Sequence, residues 1–266
     1  MLFMAIVYFL LTQIQLRFLL LGLLTVWAVS CQSVGAQETL NKAASSGTAS
    51  DLPPTPKGMQ VEYSAPPRIL LAKSQLGDWD TIDFAGGGEA SVASHTLEIG
   101  IGEGLTGVFW DGGDLPTNNY DLTMQARRTE GIDFFCGPVF PVNDSHCCLI
   151  VGGWAGATVG LSSIDGKDAS NNETTKLMDF KNNRWYDIRI RVLPDRIIVW
   201  IDNECVIYQN ITGKKISLRG DTELCTPMGL CTFQTKAEIR KLTLQRIGKP
   251  AKPTELPKPL SQPLKQ

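Results

Sequence analysis

Side-chain polarity alternates residue by residue in the middle of the chain, and this constrains the fold more than any other feature. Residues 120–127 and 186–192 both place apolar side chains at even positions and polar ones at odd positions. Such a period of two is typical of a half-buried β-strand. The short link Leu193-Pro194-Asp195 leads into an apolar, β-branched run at 196–202, and this predicts a hairpin.

The rest of the central region also favours strands over helices. No stretch of twelve residues there shows a sustained helical stripe, and glycine-rich turns separate the apolar segments. Further strands are predicted at 95–101, 106–110, 131–140, 147–152, 157–163, 205–208, 228–233 and 237–246. Many short strands in one domain predict an all-β protein, built as a sandwich or jelly roll of two antiparallel sheets.

Composition supports a folded core and argues against one class of partner. Apolar residues make up 43% of the chain and charged residues 20%, as in ordinary globular domains. The formal net charge is −2, so there is no basic field to hold a nucleic acid. We therefore expect no nucleic-acid partner.

The N-terminus has the order of a secretory signal. Arg17 precedes the uncharged apolar run 18–30, and small residues follow it. Cleavage before Gln37 would be that of an ordinary signal peptide, whereas cleavage before Cys31 would leave a lipidated cysteine. The expected locations are therefore the periplasm, the cell surface as a lipoprotein, or the exterior, and an uncleaved segment would attach the chain to the membrane.

Proline-rich segments flank the expected domain. Residues 1–36 are assigned to the signal and 37–67 to an extended linker, because small residues and prolines there bury little. Residues 248–266 carry regularly spaced prolines and are expected to be a disordered or polyproline II tail. The folded domain is then predicted to cover residues 68–247.

The cysteines constrain the fold less than the strand pattern does, because their pairing cannot be derived from the sequence. Seven are present, and six remain once Cys31 is set aside. Six cysteines allow 15 pairings, and Cys225 and Cys231, which flank a turn-like stretch, are the pair expected to form a disulfide. The alternative is that most of the cysteines are small buried apolar residues.

Several segments together resemble one family. They are 131–135, 140–142, 149–154, 160–166 and 184–189, followed by the strand–turn–strand 197–206. In this order they resemble the 3-keto-disaccharide hydrolase-like domain of exported bacterial proteins. The resemblance covers most of residues 69–247 and implies a concanavalin A-like jelly roll.

The resemblance also implies a chemistry and shows a departure. Family members are implied to act on glycosides oxidised at carbon 3, where a base removes the carbon-2 proton and the enolate expels the glycosidic oxygen. The family usually has an acidic residue where this chain has Gln125, and a non-catalytic carbohydrate-binding module of the same fold is the alternative function. Either way, the expected partner is a carbohydrate.

Three residues are candidates for catalysis. His146 titrates near neutral pH and follows a turn at the start of a strand, so it is a candidate base or else a surface histidine. Asp133 lies between apolar neighbours, where a carboxylate is either paired or functional. Arg128 is a candidate catalytic partner for Asp133, and Arg127 is a candidate for binding substrate.

Two tryptophans are candidate sugar platforms. Trp154 lies in Gly-Gly-Trp-Ala-Gly, where the glycines leave room for a sugar ring against the indole. Trp110 precedes Asp-Gly-Gly and has the same possible role. For both residues the alternative is a core tryptophan around which strands pack closely.

One loop is rich in oxygen donors. Residues 165–173 include Asp165, Asp168 and Glu173, and a hard divalent cation such as calcium takes such ligands. The spacing does not fit an EF-hand, so a solvated loop is the alternative. No other cofactor is expected.

Overall fold

The computed structural model describes residues 60–250, without the side chains of the last two. The predicted signal, Cys31, most of the predicted linker and the tail beyond residue 250 lie outside the described residues. None of the helical segments within 60–250 is long and apolar enough to cross a membrane. What the structure describes is a two-sheet β-sandwich.

The strands account for most of this region. In chain order they are β1 Val61–Tyr63, β2 Arg68–Ile69, β3 Trp79–Thr81, β4 Ala90–Ala93, β5 Thr96–Ile99, β6 Leu105–Trp110, β7 Tyr120–Gly131, β8 Gly137–Val142, β9 Ser145–Gly152, β10 Thr158–Ser162, β11 Lys176–Leu177, β12 Tyr186–Leu193, β13 Arg196–Ile201, β14 Glu204–Asn210, β15 Gly229–Phe233 and β16 Thr235–Pro250. Between residues 60 and 250 the helical segments are one short turn, Gly153–Gly156, and a 3-10 helix, Gly220–Cys225.

The strands form two antiparallel sheets. The nine-stranded sheet has the order β14-β13-β12-β7-β16-β5-β4, with β1 and β2 also paired to β16. The seven-stranded sheet has the order β11-β10-β9-β8-β15-β6-β3. Neighbouring strands are often distant in sequence, as expected for a jelly roll, so the predicted fold class is confirmed.

The alternating segments take the predicted places. Strands β7 and β12 pair with each other, and their even-numbered side chains, such as Leu122 and Ile188, are fully buried between the sheets. The link at 193–195 joins β12 to β13 in the predicted hairpin. Burial of these apolar side chains is the main force that holds the two sheets together.

The predicted strand 131–140 is interrupted in the structure. Strand β7 ends at Gly131, which has a φ of 92°, and β8 begins only at Gly137. A Cβ at Gly131 would lie 2.5 Å from the carbonyl oxygen of Gln234, so the bend needs glycine for space as well as conformation. The bend at residues 132–136 projects Asp133 out of the sheet register.

Paired strands extend further than the predicted domain on both sides. Strand β1 lies within the segment assigned to the linker, and Val61 pairs with Pro250 of β16. The Tyr63 hydroxyl donates a hydrogen bond of 2.6 Å to Asp121 Oδ2 on β7. The last part of the predicted linker is therefore a component of the nine-stranded sheet.

Each sheet also has a face turned away from the core, and the two outer faces differ. On the seven-stranded sheet, Val139, Cys148 and Cys231 form a second apolar cluster with Phe134 and Cys225. We call this outer face of the seven-stranded sheet the pocket face. We call the outer face of the nine-stranded sheet, which carries Asp121 and Arg191, the ion-pair face.

Candidate functional site

A pocket of about 280 Å³ opens on the pocket face. Its volume is just below the roughly 300–1,000 Å³ typical of small-molecule sites. Some of the side chains around it come from strands of the sheet. Others come from the bend at 132–136, from the turn at 153–156 and from the segment that includes the 3-10 helix. The lining residues are Leu105, Asp133, Phe134, Cys148, Ile150, Trp154, Ser162, Arg219, Asp221, Thr222 and Phe233.

Two of the residues predicted from the sequence meet in this pocket. Asp133 and Trp154 both line it, although 20 residues separate them in the chain. Asp133 Oδ2 accepts a hydrogen bond of 3.1 Å from the backbone N–H of Ala155, and Oδ1 accepts one of 2.8 Å from the N–H of Phe134. The carboxylate thus ties the bend to the turn that carries Trp154.

The turn at 153–156 is held in an unusual conformation. Trp154 and Ala155 have φ values of 48° and 65°, and Gly152 and Gly156 flank them with φ values of 81° and 98°. Non-glycine residues in the left-handed region cost free energy and concentrate at functional sites. Trp154 is 42% exposed at the pocket, so its indole is not part of the core.

Arg128 supports the bend and does not line the pocket. Its guanidinium donates to the carbonyl oxygens of Asp133 (3.3 Å) and Phe180 (2.8 Å) and to Asn182 Oδ1 (2.7 Å). The residue is 7% exposed, and burial lowers the pKa of its guanidinium. The predicted partnership with Asp133 therefore exists, but it runs through the backbone of Asp133 and leaves Arg128 outside the pocket.

His146 lies on the pocket face, away from the pocket. It shares the outward side of β9 with Cys148 and Ile150, because alternate residues of a strand face the same way. Its side chain stands two residues before Cys148 and is not among the lining groups. Partial burial lowers the pKa of His146, which favours the neutral imidazole.

The structure places the other two predicted sugar-binding residues elsewhere. Trp110 is only 2% exposed and packs edge-on against Trp79, with ring centroids 5.2 Å apart, so it is a core tryptophan. Arg127 lies on the ion-pair face, where it pairs with Glu238 at 2.7 Å and stacks over Trp185 at 4.6 Å. Neither residue lines the pocket.

The acidic loop is paired with lysine and arginine side chains. Lys214 Nζ lies 3.5 Å from Asp165 Oδ2 and 2.5 Å from Glu173 Oε1, so an ammonium group occupies the space between the two carboxylates. Asp168 Oδ2 is 3.9 Å from Arg219. Within residues 60–250 no group of three histidine, cysteine or acidic side chains is arranged to hold a metal ion. The loop thus gives the calcium expectation no support.

Of the eleven pocket residues, nine were not predicted from the sequence, and three of these nine lie in one connection. Arg219, Asp221 and Thr222 belong to the long connection between β14 and β15, which has no periodic pattern. Ser163 and Ser217 exchange backbone hydrogen bonds, and this carries the connection across the pocket face. The available signal was length alone, since long loops in compact domains are often functional.

The cysteines are thiols in the structure. All six within the described residues are free, including Cys225 and Cys231. Cys225 is the last residue of the 3-10 helix, and it packs in one apolar cluster with Cys148 and Cys231, whose Sγ donates to the carbonyl oxygen of Gly137 at 3.2 Å. The expected disulfide is therefore absent, and the cysteines pack as small apolar residues under the pocket.

Gln125, which stands where the family usually has an acidic residue, does not line the pocket. Gln125 lies on the ion-pair face, where its amide donates to Asp187 at 2.8 Å and accepts from Arg240 at 2.8 Å. A neutral amide can donate to one partner and accept from the other, which a carboxylate cannot do. The substitution therefore affects a polar network on the opposite side of the domain.

Comparison with known protein families gives one match. The model of the 3-keto-alpha-glucoside-1,2-lyase-like domain matches residues 106–245. This range runs from β6 to β16 and includes every pocket residue except Leu105. No curated protein sequence matches the chain.

Solved structures are similar to the chain at low sequence identity and with TM-scores below 0.5. A carbohydrate-binding module (CBM66) from Bacillus subtilis is 12% identical, with a TM-score of 0.41, over 63% of this chain and 95% of that one. A putative glycosyl hydrolase from Parabacteroides distasonis is also 12% identical, with a TM-score of 0.41, over 69% and 100%. A non-specific endo-beta-1,3(4)-glucanase of family GH16 is 10% identical, with a TM-score of 0.44, over 73% and 98%.

The match to the family covers more than half of the chain. At this level the chain is a jelly-roll domain of the carbohydrate-active, hydrolase-like or carbohydrate-binding kind.

Proposed function

We propose a function for the pocket from one premise: this chain belongs to the 3-keto-alpha-glucoside-1,2-lyase-like domain family. The pocket binds a glycoside oxidised at carbon 3 and eliminates the group attached at carbon 1. The observation that carries this proposal is that an exposed tryptophan, held by Asp133, shares one pocket with Arg219 and Asp221. An aromatic face together with convergent polar groups is what a sugar ring requires.

Trp154 would provide the surface on which the sugar ring stacks. Trp154 is 42% exposed, and the turn that carries it is fixed by the hydrogen bond from Ala155 to Asp133. Thr222 and Ser162 also line the pocket and would be available to hydroxyl groups of the ligand. Because the turn is already in place, little conformational entropy is lost on binding.

Asp221 and Arg219 are the groups best suited to the chemistry. The ketone at carbon 3 acidifies the proton on carbon 2; a carboxylate at Asp221 removes it, and the guanidinium of Arg219 stabilises the enolate. The electron pair then forms the carbon 1–carbon 2 double bond as the carbon 1–oxygen bond breaks, and the leaving oxygen takes a proton. Water adds to the unsaturated sugar in a later step.

Asp133 is less suited to act as the base. Both of its carboxylate oxygens accept backbone hydrogen bonds, from Phe134 and Ala155. Removing a proton from substrate would compete with these bonds. In the proposed mechanism Asp133 is therefore a positioning residue and Asp221 is the base.

A second function, carbohydrate binding without catalysis, is favoured by one observation. Of the three residues that the sequence suggested for catalysis, only Asp133 lines the pocket, and its carboxylate holds the turn. A pocket used only for binding would need the tryptophan and the polar rim but no base.

Turnover of 3-keto-glucosides by the full chain tests both functions. Asp221→Asn should lower kcat by about 100-fold or more, since general-base catalysis contributes about 10²–10⁴-fold. Glu223→Gln, an exposed residue of the same 3-10 helix that does not line the pocket, is the matched control and should leave kcat unchanged. Saturable binding without turnover would support the second function, and neither binding nor turnover would contradict both.

Export remains part of the proposal. The charged-then-apolar N-terminus would deliver the domain outside the cytoplasm, lipidated at Cys31 or beginning at Gln37. Mass spectrometry of the mature chain distinguishes the two starts, and an intact Met1 terminus in the membrane would contradict cleavage.

A further inference from the structure

We propose that the ion-pair face carries a second ligand site, centred on Arg240 of β16, which binds the carboxylate of an acidic saccharide. The observation behind it is that the guanidinium of Arg240 is held in place but has no carboxylate partner within residues 60–250. The site lies on the opposite side of the sandwich from the pocket. It therefore goes beyond the proposed function and does not depend on catalysis there.

The guanidinium of Arg240 is held from two sides. Its Nε donates a hydrogen bond of 2.8 Å to Gln125 Oε1 on the neighbouring strand β7. Its central carbon lies 4.0 Å from the centroid of the Trp185 ring, which is a cation–π contact. Both terminal nitrogens lack a hydrogen-bond partner among residues 60–250, and the side chain is only half-buried. The result is a fixed pair of N–H donors, which can bind a carboxylate through two parallel hydrogen bonds.

Other cations on this face are already paired with carboxylates. Three such ion pairs, with N–O distances of 2.7, 2.7 and 3.0 Å, are Arg127–Glu238, Arg191–Asp121 and Lys236–Glu98. Asp187 stands two strands away from Arg240, with Gln125 between them, and this corresponds to about 10 Å at the usual strand spacing. The charge of Arg240 is therefore available to an anionic ligand.

Gln125 positions Arg240 without neutralising it. The amide accepts from Arg240 through Oε1 and donates through Nε2 to Asp187 Oδ1 at 2.8 Å. A glutamate, the type of residue that the family usually has here, would form an ion pair with Arg240 instead. The departure from the family thus leaves a guanidinium that is oriented by its neighbours and still carries an unpaired charge.

The surroundings of Arg240 suit a saccharide better than a protein. Within residues 60–250, none of the exposed large apolar side chains lies on β7, β12 or β16, whereas a protein interface usually has an apolar centre. Thr96 on β5 and Gln125 on β7 are the cross-strand neighbours of Arg240, and both are half-buried. Their polar side chains would be available to the hydroxyl groups of a sugar that carries the carboxylate.

A matched pair of ligands tests this inference. Trigalacturonate and its fully methyl-esterified form have the same sugar backbone, but only the acid carries charge. We expect calorimetry with the full chain at low ionic strength to give a Kd at least about tenfold lower for the acid, because hydrogen bonds to charged groups contribute that much. The difference should shrink as salt is added, because salt screens exposed charges.

Variants on the ion-pair face make the test specific. Arg240→Gln removes the charge, and Gln125→Glu keeps the arginine but gives it a carboxylate partner, so each should reduce the affinity for the acid to that for the ester. Lys236→Gln is the control, because it removes a positive charge of the same strand that is already paired with Glu98. It should keep the preference for the acid. Thermal unfolding identifies any variant that is not folded, and the other variant then decides.

Several outcomes would overturn the inference. They are equal affinity for acid and ester, or a preference for the acid that persists in both Arg240→Gln and Gln125→Glu. Arg219→Gln, in the pocket, should keep the preference, and its loss there would mean that the pocket binds the carboxylate. Acetate binding as tightly as trigalacturonate would contradict the assignment to a saccharide. Turnover of 3-keto-glucosides enters none of these measurements, so failure of the proposed function and failure of this inference are distinguishable.

Discussion

The two outer faces of the sandwich use charged residues in different ways. On the ion-pair face, Arg191 donates to both carboxylate oxygens of Asp121 at 2.7 and 2.8 Å, and both side chains are almost fully buried. On the pocket face, Arg219 and Asp221 are exposed beside an apolar cavity. Both faces carry an arginine and an aspartate, and on the pocket face the two residues line a cavity.

The comparison shows that charged residues in a strand are weak indicators of a site. Arg127, Asp121 and Arg191 all lie in alternating strands, and each is bound to a neighbouring strand of the same sheet. The polar pocket residues Asp133 and Arg219 instead come from a bend and a loop, where the sheet does not supply partners on both sides. Loops on a rigid scaffold are the usual position for binding groups.

The largest expected effect is on the ion-pair face. Asp121→Ala would leave the buried Arg191 without its carboxylate and would remove the acceptor of Tyr63, so we expect a loss of about 3–5 kcal/mol in the free energy of unfolding. Glu238→Ala breaks the more exposed pair with Arg127 and should cost about 0–1 kcal/mol. Urea unfolding measures both. A loss below about 1 kcal/mol for Asp121→Ala would show that this pair does not stabilise the fold.

The next prediction contrasts Trp154, which we expect to affect ligand binding, with Trp79, which we expect to affect stability. Trp154→Ala should weaken binding of a 3-keto-glucoside about two- to tenfold, because stacking on an aromatic ring contributes about 0.5–1.5 kcal/mol, with little change in thermal stability. Trp79→Ala, in the core, should cost about 3–5 kcal/mol of stability. Calorimetry and thermal unfolding of the two variants provide the comparison. A stability loss for Trp154→Ala as large as that for Trp79→Ala would indicate that Trp154 is a core residue.

A smaller effect is expected at Asp133. Asp133→Asn keeps the shape but turns one acceptor into a donor, which then faces the N–H of Ala155 or Phe134, so we expect a loss of about 1–3 kcal/mol in stability. Binding should weaken several-fold because Trp154 is less well held. In the double variant with Trp154→Ala, the binding losses should be less than additive. Strict additivity would indicate that Asp133 acts on the ligand directly.

The smallest effect is a pH dependence at His146. Burial lowers the pKa of His146 in the folded state, so the unfolded state binds more protons between that value and about 6.5. The stability contribution of the neutral imidazole is therefore present above about pH 6.5 and is lost as the pH falls through the folded-state pKa. His146→Gln should reduce the loss of stability between pH 7.5 and 5. An identical pH profile in the variant would remove His146 as the cause.

Sequence reasoning reached the fold more completely than the site. Alternation at 120–127 and 186–192 identified the buried faces, because burial repeats with the geometry of the strand. It did not indicate whether an outward residue such as Arg127 faces a pocket or a paired neighbour, since that depends on which strands lie beside it. Trp110 and Trp154, each next to glycines, differ in exposure for the same reason.

The pocket could be predicted only in part, because residues distant in sequence come together to form it. Asp133 and Trp154 were found because a carboxylate among apolar residues and a tryptophan among glycines are both locally unusual. Arg219 and Asp221 have no such signal, and their segment is held to the sheet by backbone hydrogen bonds between residues distant in sequence, such as Ser163 and Ser217.

The most direct test of the account is hydrogen–deuterium exchange of the full chain with and without a bound 3-keto-glucoside. The account predicts that the ligand slows exchange of the backbone amides at 153–156 and 219–225, which border the pocket. Strands β12 and β13, which carry the ion-pair face, should be unaffected. Protection confined to β12 and β13, with none at the two pocket segments, would contradict the claim that the pocket face is the ligand site.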